Sequence, residues 1–102
     1  MKIAILHDYF DKIGGGERLV INLARRLNAD IYTGFIDYKK TLDFKGIKVV
    51  SLGVRKNLPQ LIRNIKISKK FEKYKFLKYD FYIFSGVWCI SAAKKNHPNV
   101  LY

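Results

Sequence analysis

The chain has 102 residues, 20 Lys or Arg against 8 Asp or Glu, and a formal net charge of +12. Its 49% hydrophobic and 27% charged residues describe a globular chain rather than a disordered one. No run approaches the ~18 apolar residues that span a bilayer, and one cysteine, Cys89, excludes an internal disulfide or a thiol metal cluster.

The length predicts a single domain over 1–102. The apolar opening is too short for a signal-peptide core, so the expected location is the cytoplasm. A positive field of this size favours phosphates, nucleic acid or an acidic membrane face, without choosing among them.

Lys2 to Leu6 is a short apolar run of the length of a buried parallel strand. A polar loop with Asp11, Gly14, Gly15 and Gly16 follows, and from Glu17 the pattern turns helical. Leu19, Val20, Leu23, Ala24 and Leu27 are read as one face, Arg18, Asn22, Arg25 and Arg26 as the other, with Asn28 as the stop. Glu17 early and the arginines late suit the helix dipole. Asp30 to Ile36, Ile47 to Leu52 and Asp80 to Ser85 are rich in β-branched and aromatic residues and read as further strands. Val87 to Lys95 reads as a short helix, and Asn99 to Tyr102 as the start of a fifth strand. Strands alternating with helices predict an α/β fold: a Rossmann-like, doubly wound parallel sheet of about five strands in the order 3-2-1-4-5. A fifth parallel strand without its following helix leaves one face and one edge uncovered, so a fragment or a covering partner is expected.

Gly14, Gly15 and Gly16 join the first strand to the first helix. Glycines there let a backbone approach a ligand closely, and free amides at a helix start attract an anion. A dinucleotide fingerprint would need glycine where Leu19 stands, and a Walker A loop would not continue with Glu17 and Arg18. A tight turn with no ligand is the alternative.

The segments KIAILHDYF, IGGGERLVINLARRL and YTGF resemble the N-terminus of glycosyltransferase family 4 enzymes. The resemblance covers Met1 to about Phe35 and continues more loosely through Asp80 to Ser85 and the Asn-His-Pro-Asn-Val-Leu-Tyr end. It implies an incomplete N-terminal domain of the GT-B fold, in which two Rossmann-like domains face each other across a cleft. It also implies a nucleotide sugar as donor substrate with no separate cofactor, a glycan or lipid-linked acceptor, and a donor-phosphate role for Gly14, Gly15, Gly16 and Arg18. The family's donor-binding domain and a later His-containing acceptor segment are not in this sequence, so no sugar transfer is expected from the chain alone.

In a doubly wound sheet, ligands bind beyond the strand ends where the strand order reverses, here between the first and fourth strands. His7 and Asp8 are the candidate catalytic pair, and Tyr9, Ser85 and Gly86 the acceptor-side candidates, with Trp88 nearby. Neighbours on an extended strand point to opposite faces, so His7 and Asp8 would pair only if the strand has ended; otherwise they bond loop backbone. Cys89 reads as core, since no base accompanies it.

Arg55 to Lys78 holds nine basic residues and one acid, Glu72. Leu58, Leu61, Ile62 and Ile65 share a helical face that Lys69 interrupts, which predicts two short helices, or a helix and a loop. Lys66, Lys69, Lys70 and Lys73, interleaved with aromatics, suit an anionic membrane surface; a solvated lysine face is the alternative. No nucleic-acid motif accompanies the charge, and no acidic pair suggests a metal. Besides a transferase domain, a non-catalytic membrane-docking or acceptor-binding partner of a separate donor-binding chain, or an inactive remnant, fits the sequence.

Overall fold

Short apolar runs become the strands of one parallel sheet, as their length and β-branched content predict. A computed structural model describes residues 2–10, 15–37, 44, 46–55, 57–74, 79–86, 88–89 and 100–101. Among these, the strands are β1 (Ile3–His7), β2 (Asp30–Thr33), β3 (Val49–Ser51), β4 (Phe81–Ser85) and β5 (Val100–Leu101), ordered β3-β2-β1-β4-β5. All the pairings are parallel, with His7 beside Thr33 on one side and Ser85 on the other. This is the predicted doubly wound order, with its switch between β1 and β4.

Helix α1 (Gly15–Leu27) and helix α2 (Gln60–Lys73) serve two separate apolar clusters. Ile5, Phe10 and Ile31 pack with Val20, Ile21 and Ala24 of α1. Ala4, Leu6, Tyr32 and Phe84 pack with Ile67 and Phe71 of α2. The alternation of Ala4, Ile5 and Leu6 between clusters is the two-residue strand period at work. Helix α1 stops at Asn28, whose φ of 52° is the left-handed conformation asparagine tolerates. The Ala29 amide then reaches back to the Ala24 carbonyl at 2.9 Å.

Helix α2 buries a face other than the one read from the sequence, and α1 buries Val20 and Ala24 of the face read there, with the covered stripe shifted to take in Glu17 and Ile21. Helix α1 buries Glu17, Val20, Ile21 and Ala24, and leaves Leu19 64% exposed. Helix α2 runs unbroken through Lys69 and buries Asn64, Ile67 and Phe71, with Leu61, Ile62 and Ile65 exposed. Apolar spacing alone marks a stripe; the sheet covers whichever stripe fills its groove, and here each covered stripe includes a polar residue. Tyr74 then takes extended backbone and ends α2, while 75–78 lie outside the described residues, as does most of the helix expected at Val87 to Lys95. No helix among the described residues is long and apolar enough to cross a membrane.

At the N-terminal ends of the strands, the Tyr79 hydroxyl donates to Asp30 Oδ2 at 2.7 Å and accepts from the Tyr32 hydroxyl at 2.7 Å. Burial, and then these two bonds, push the Tyr79 phenol far above its usual range, so this hydroxyl keeps its proton and its bonds tie β2 to the approach of β4.

Candidate active site

Strand β1 ends at His7, and the register places Ser85 directly beside it. The His7 Nδ1–H donates to the Ser85 carbonyl at 2.8 Å, with Ser85 Oγ at 3.3 Å. A carbonyl can only accept, so that bond places a proton on Nδ1 and leaves Nε2 to face the other way. Nε2 lies 3.6 Å from Glu17 Oε2, in the first turn of α1, and Glu17 is only 7% exposed. The Phe10 ring closes the pocket wall, its centroid 4.6 Å from that of His7. Chemically this is a nitrogen able to take a proton, held by one carbonyl and backed by a carboxylate that stabilises the resulting imidazolium.

Asp8 is turned toward the bend after β4. Its Oδ1 accepts from the Cys89 amide at 2.8 Å. Gly86, with φ of 145°, lies so close that a Cβ there would sit 2.6 Å from the Asp8 carboxyl carbon. Asp8 therefore fastens the β4 bend against β1. Tyr9 stacks on Phe35 with ring centroids 5.0 Å apart, and the Arg63 guanidinium lies 4.9 Å from the Tyr9 centroid and 5.1 Å from that of Phe35. Arg63 thus brings α2 to the lip of the crevice through cation–π contact.

Gly15 and Gly16 open α1, are exposed, and would meet nothing within 4 Å if each carried a Cβ. Neither is among the glycines with positive φ. Among the described residues nothing requires glycine at these two positions. What their bare backbone provides is open access to the first amides of α1. Arg18 is exposed on the same turn, and Gly14 lies outside the described residues.

The fold brings His7, Asp8, Ser85 and Gly86 together with the start of α1. It places Lys66, Lys69, Lys70 and Lys73 apart from them, beside the end of β3, where they line a cavity of about 710 Å³. Sequence reasoning missed Glu17 as the partner of His7. The available signal was the position of Glu17 in the first turn of the helix that follows β1. It also missed Arg63, for which two aromatics in the segments after β1 and β2 gave no local signal.

Cys89 is fully buried, and its thiol donates to the Leu6 carbonyl at 3.4 Å. Burial, and then the Asp8 carboxylate, push its pKa well above the usual thiol range. Native protein is therefore expected to react with a thiol reagent at least about tenfold more slowly than urea-unfolded protein; equal rates would contradict this burial.

No family model and no curated protein sequence matches this chain. Among solved structures, its fold is similar to that of the apo form of the lipopolysaccharide outer core galactosyltransferase WaaB. The TM-score is 0.59 at 19% identity, over 98% of this chain and 31% of that one. The chain therefore has a glycosyltransferase-like, Rossmann-like α/β fold, and it spans about a third of the length of the enzyme it resembles.

Proposed function

We propose that the chain is the acceptor-side N-terminal domain of a family 4 type glycosyltransferase. It would pass sugar from a nucleotide sugar to a glycan or lipid-linked acceptor, in company with a donor-binding domain. The observation that carries this reading is the unobstructed start of α1, at Gly15 and Gly16, opening beside His7 and Glu17 at the β1–β4 switch. The first amides of α1, with Arg18, would hold the donor's phosphates. An acceptor hydroxyl near Tyr9, Ser85 and Gly86 would give its proton to His7 Nε2 as its oxygen attacks the anomeric carbon and the nucleotide leaves. Glu17 would stabilise the imidazolium.

Two assays test this. Equilibrium dialysis against labelled nucleotide diphosphate sugars is expected to show retention by the chain and a loss of at least about tenfold in a Gly15→Leu/Gly16→Leu variant. No retention of any donor by millimolar protein would sink the reading. A transfer assay with the chain alone is expected to show no turnover, and turnover would refute the need for a second domain.

One observation favours a peripheral position on an anionic membrane. Leu61, Ile62 and Ile65 are 69%, 46% and 43% exposed on α2, next to Lys66, Lys69, Lys70 and Lys73. Apolar side chains flanked by lysines on one helix suit the boundary of a bilayer with anionic head groups. Ile62→Ser/Ile65→Ser is expected to lower sedimentation with phosphatidylglycerol vesicles severalfold. Equal binding to phosphatidylcholine vesicles would contradict membrane docking by charge and burial together.

A further inference from the structure

The cavity between the end of β3 and α2 shares no residue with the crevice. Arg55 reaches it from the segment after β3, and Lys66, Lys69, Lys70 and Lys73 from α2. Among the described residues none that lines it is acidic, and five cations border one space of about 710 Å³. On α2 the lysines stand three and four residues apart, where like charges oppose helix formation. The first turn holds no acidic residue to complement the dipole, although Lys70 and Lys73 suit the last turn. An arrangement unfavourable to the free protein becomes favourable when an anion occupies the space between the charges.

The remaining walls narrow the ligand. Leu52, Val54, Leu58 and Tyr74 give the cavity an apolar side, and its volume is that of an organic ligand rather than a bare ion. Ser51 accepts from the Gly53 amide at 3.3 Å, which leaves its hydroxyl hydrogen as a donor. Lys66 to Lys73 extends roughly 10 Å along the helix, more than one phosphate presents. A single phosphate monoester carries at most about two charges, against five cations.

We infer that this cavity is a binding site for an organic diphosphate, its paired phosphates held by Arg55 and the α2 lysines and its substituent against Leu52, Val54 and Tyr74. The site stands independently of sugar transfer and of the glycine turn. It differs from a merely basic surface in that its cations come from two elements and enclose one space.

The test is calorimetric titration of the 102-residue chain with inorganic pyrophosphate at fixed ionic strength. Saturable one-to-one binding is expected, weakened about tenfold or more in Lys66→Ala/Lys70→Ala through loss of charge-assisted hydrogen bonds. Lys2→Ala/Lys48→Ala, which removes the same charge from exposed positions elsewhere, is expected to bind within about twofold of the parent. All four lysines are exposed, so both variants should fold, and circular dichroism checks that they do. Equal weakening in the two variants, or binding that never saturates, would overturn the site in favour of diffuse charge.

Phosphatidylglycerol vesicles form the second arm. Vesicle binding that pyrophosphate competes away, and that the Lys66/Lys70 variant loses, would mean that the single phosphate of a lipid head group suffices and would overturn the diphosphate. Pyrophosphate binding without such competition would assign it to a soluble ligand. A nucleotide diphosphate sugar also carries paired phosphates, so variants separate the two sites: pyrophosphate binding should survive in Gly15→Leu/Gly16→Leu and weaken in Lys66→Ala/Lys70→Ala, and the two proposals can fail separately.

Discussion

Phe71→Ala is expected to destabilise the chain by about 3–5 kcal/mol, while Leu61→Ala should change stability by no more than about 0.5 kcal/mol. The two residues lie ten positions apart on one helix, and both are large and apolar. Phe71 is fully buried against the sheet with Ile67, in the cluster that includes Leu6, Tyr32 and Phe84. Removing its ring loses the transfer energy of the buried surface and leaves a cavity that close-packed neighbours fill only in part. Leu61 is 69% exposed and packs on little. Urea denaturation of the two variants measures the contrast. A larger loss for Leu61 than for Phe71 would mean that α2 faces the sheet with its other side.

Gly86→Ala is the second large effect, expected at about 2–6 kcal/mol. Two causes act together. A φ of 145° is a backbone conformation side chains rarely adopt, which costs about 1–3 kcal/mol. The new Cβ would also meet the Asp8 carboxylate oxygens at 2.6 and 2.7 Å, and overpacking of this kind costs about 1–3 kcal/mol. Relief by moving Asp8 gives up its bond to the Cys89 amide. Gly53→Ala separates the two terms: its φ is 80°, but a Cβ there meets nothing within 4 Å, so only the backbone cost of about 1 kcal/mol remains. In an Asp8→Ala background the Gly86 substitution should cost less than in the parent, because the two residues touch. Strict additivity would deny the contact.

Much of the fold was legible because it rests on local patterns. The apolar run before His7, the glycines after it and the helical spacing beyond Glu17 define β1, its turn and α1. β-branched and aromatic runs mark the other strands, and the parallel order follows from their alternation with helices. What could not be read was which stripe of α2 the sheet covers, and that on α1 the stripe holding Val20 and Ala24 is shifted to take in Glu17 and Ile21. Asn64 and Glu17 lie on buried faces, while Leu19 and Leu61 do not. Periodicity finds candidate stripes, but only the partner surface selects one. The bond from Tyr79 to Asp30 and the stack of Arg63 over Tyr9 and Phe35 join residues far apart in sequence, with no spacing to betray them.

The candidate site divides in the same way. The glycine turn and His7 were visible as residue types at the end of a strand. The pairing of His7 with Glu17 follows from the position of Glu17 in the first turn of α1, and the role of Asp8 in fastening the β4 bend needs the position of Gly86. The lysines were visible as charge alone; that they line a cavity with Arg55 depends on how α2 lies against the end of β3.

Amide-resolved NMR during titration with a nucleotide diphosphate sugar tests the central claim most directly. Saturable shifts are expected at the amides of Gly15, Gly16 and Glu17. Gly16→Leu should abolish them while raising stability by up to about 1 kcal/mol, since a side chain there meets only open space. No shift at these amides, or the same shifts in Gly16→Leu, would mean that the start of α1 does not receive the donor.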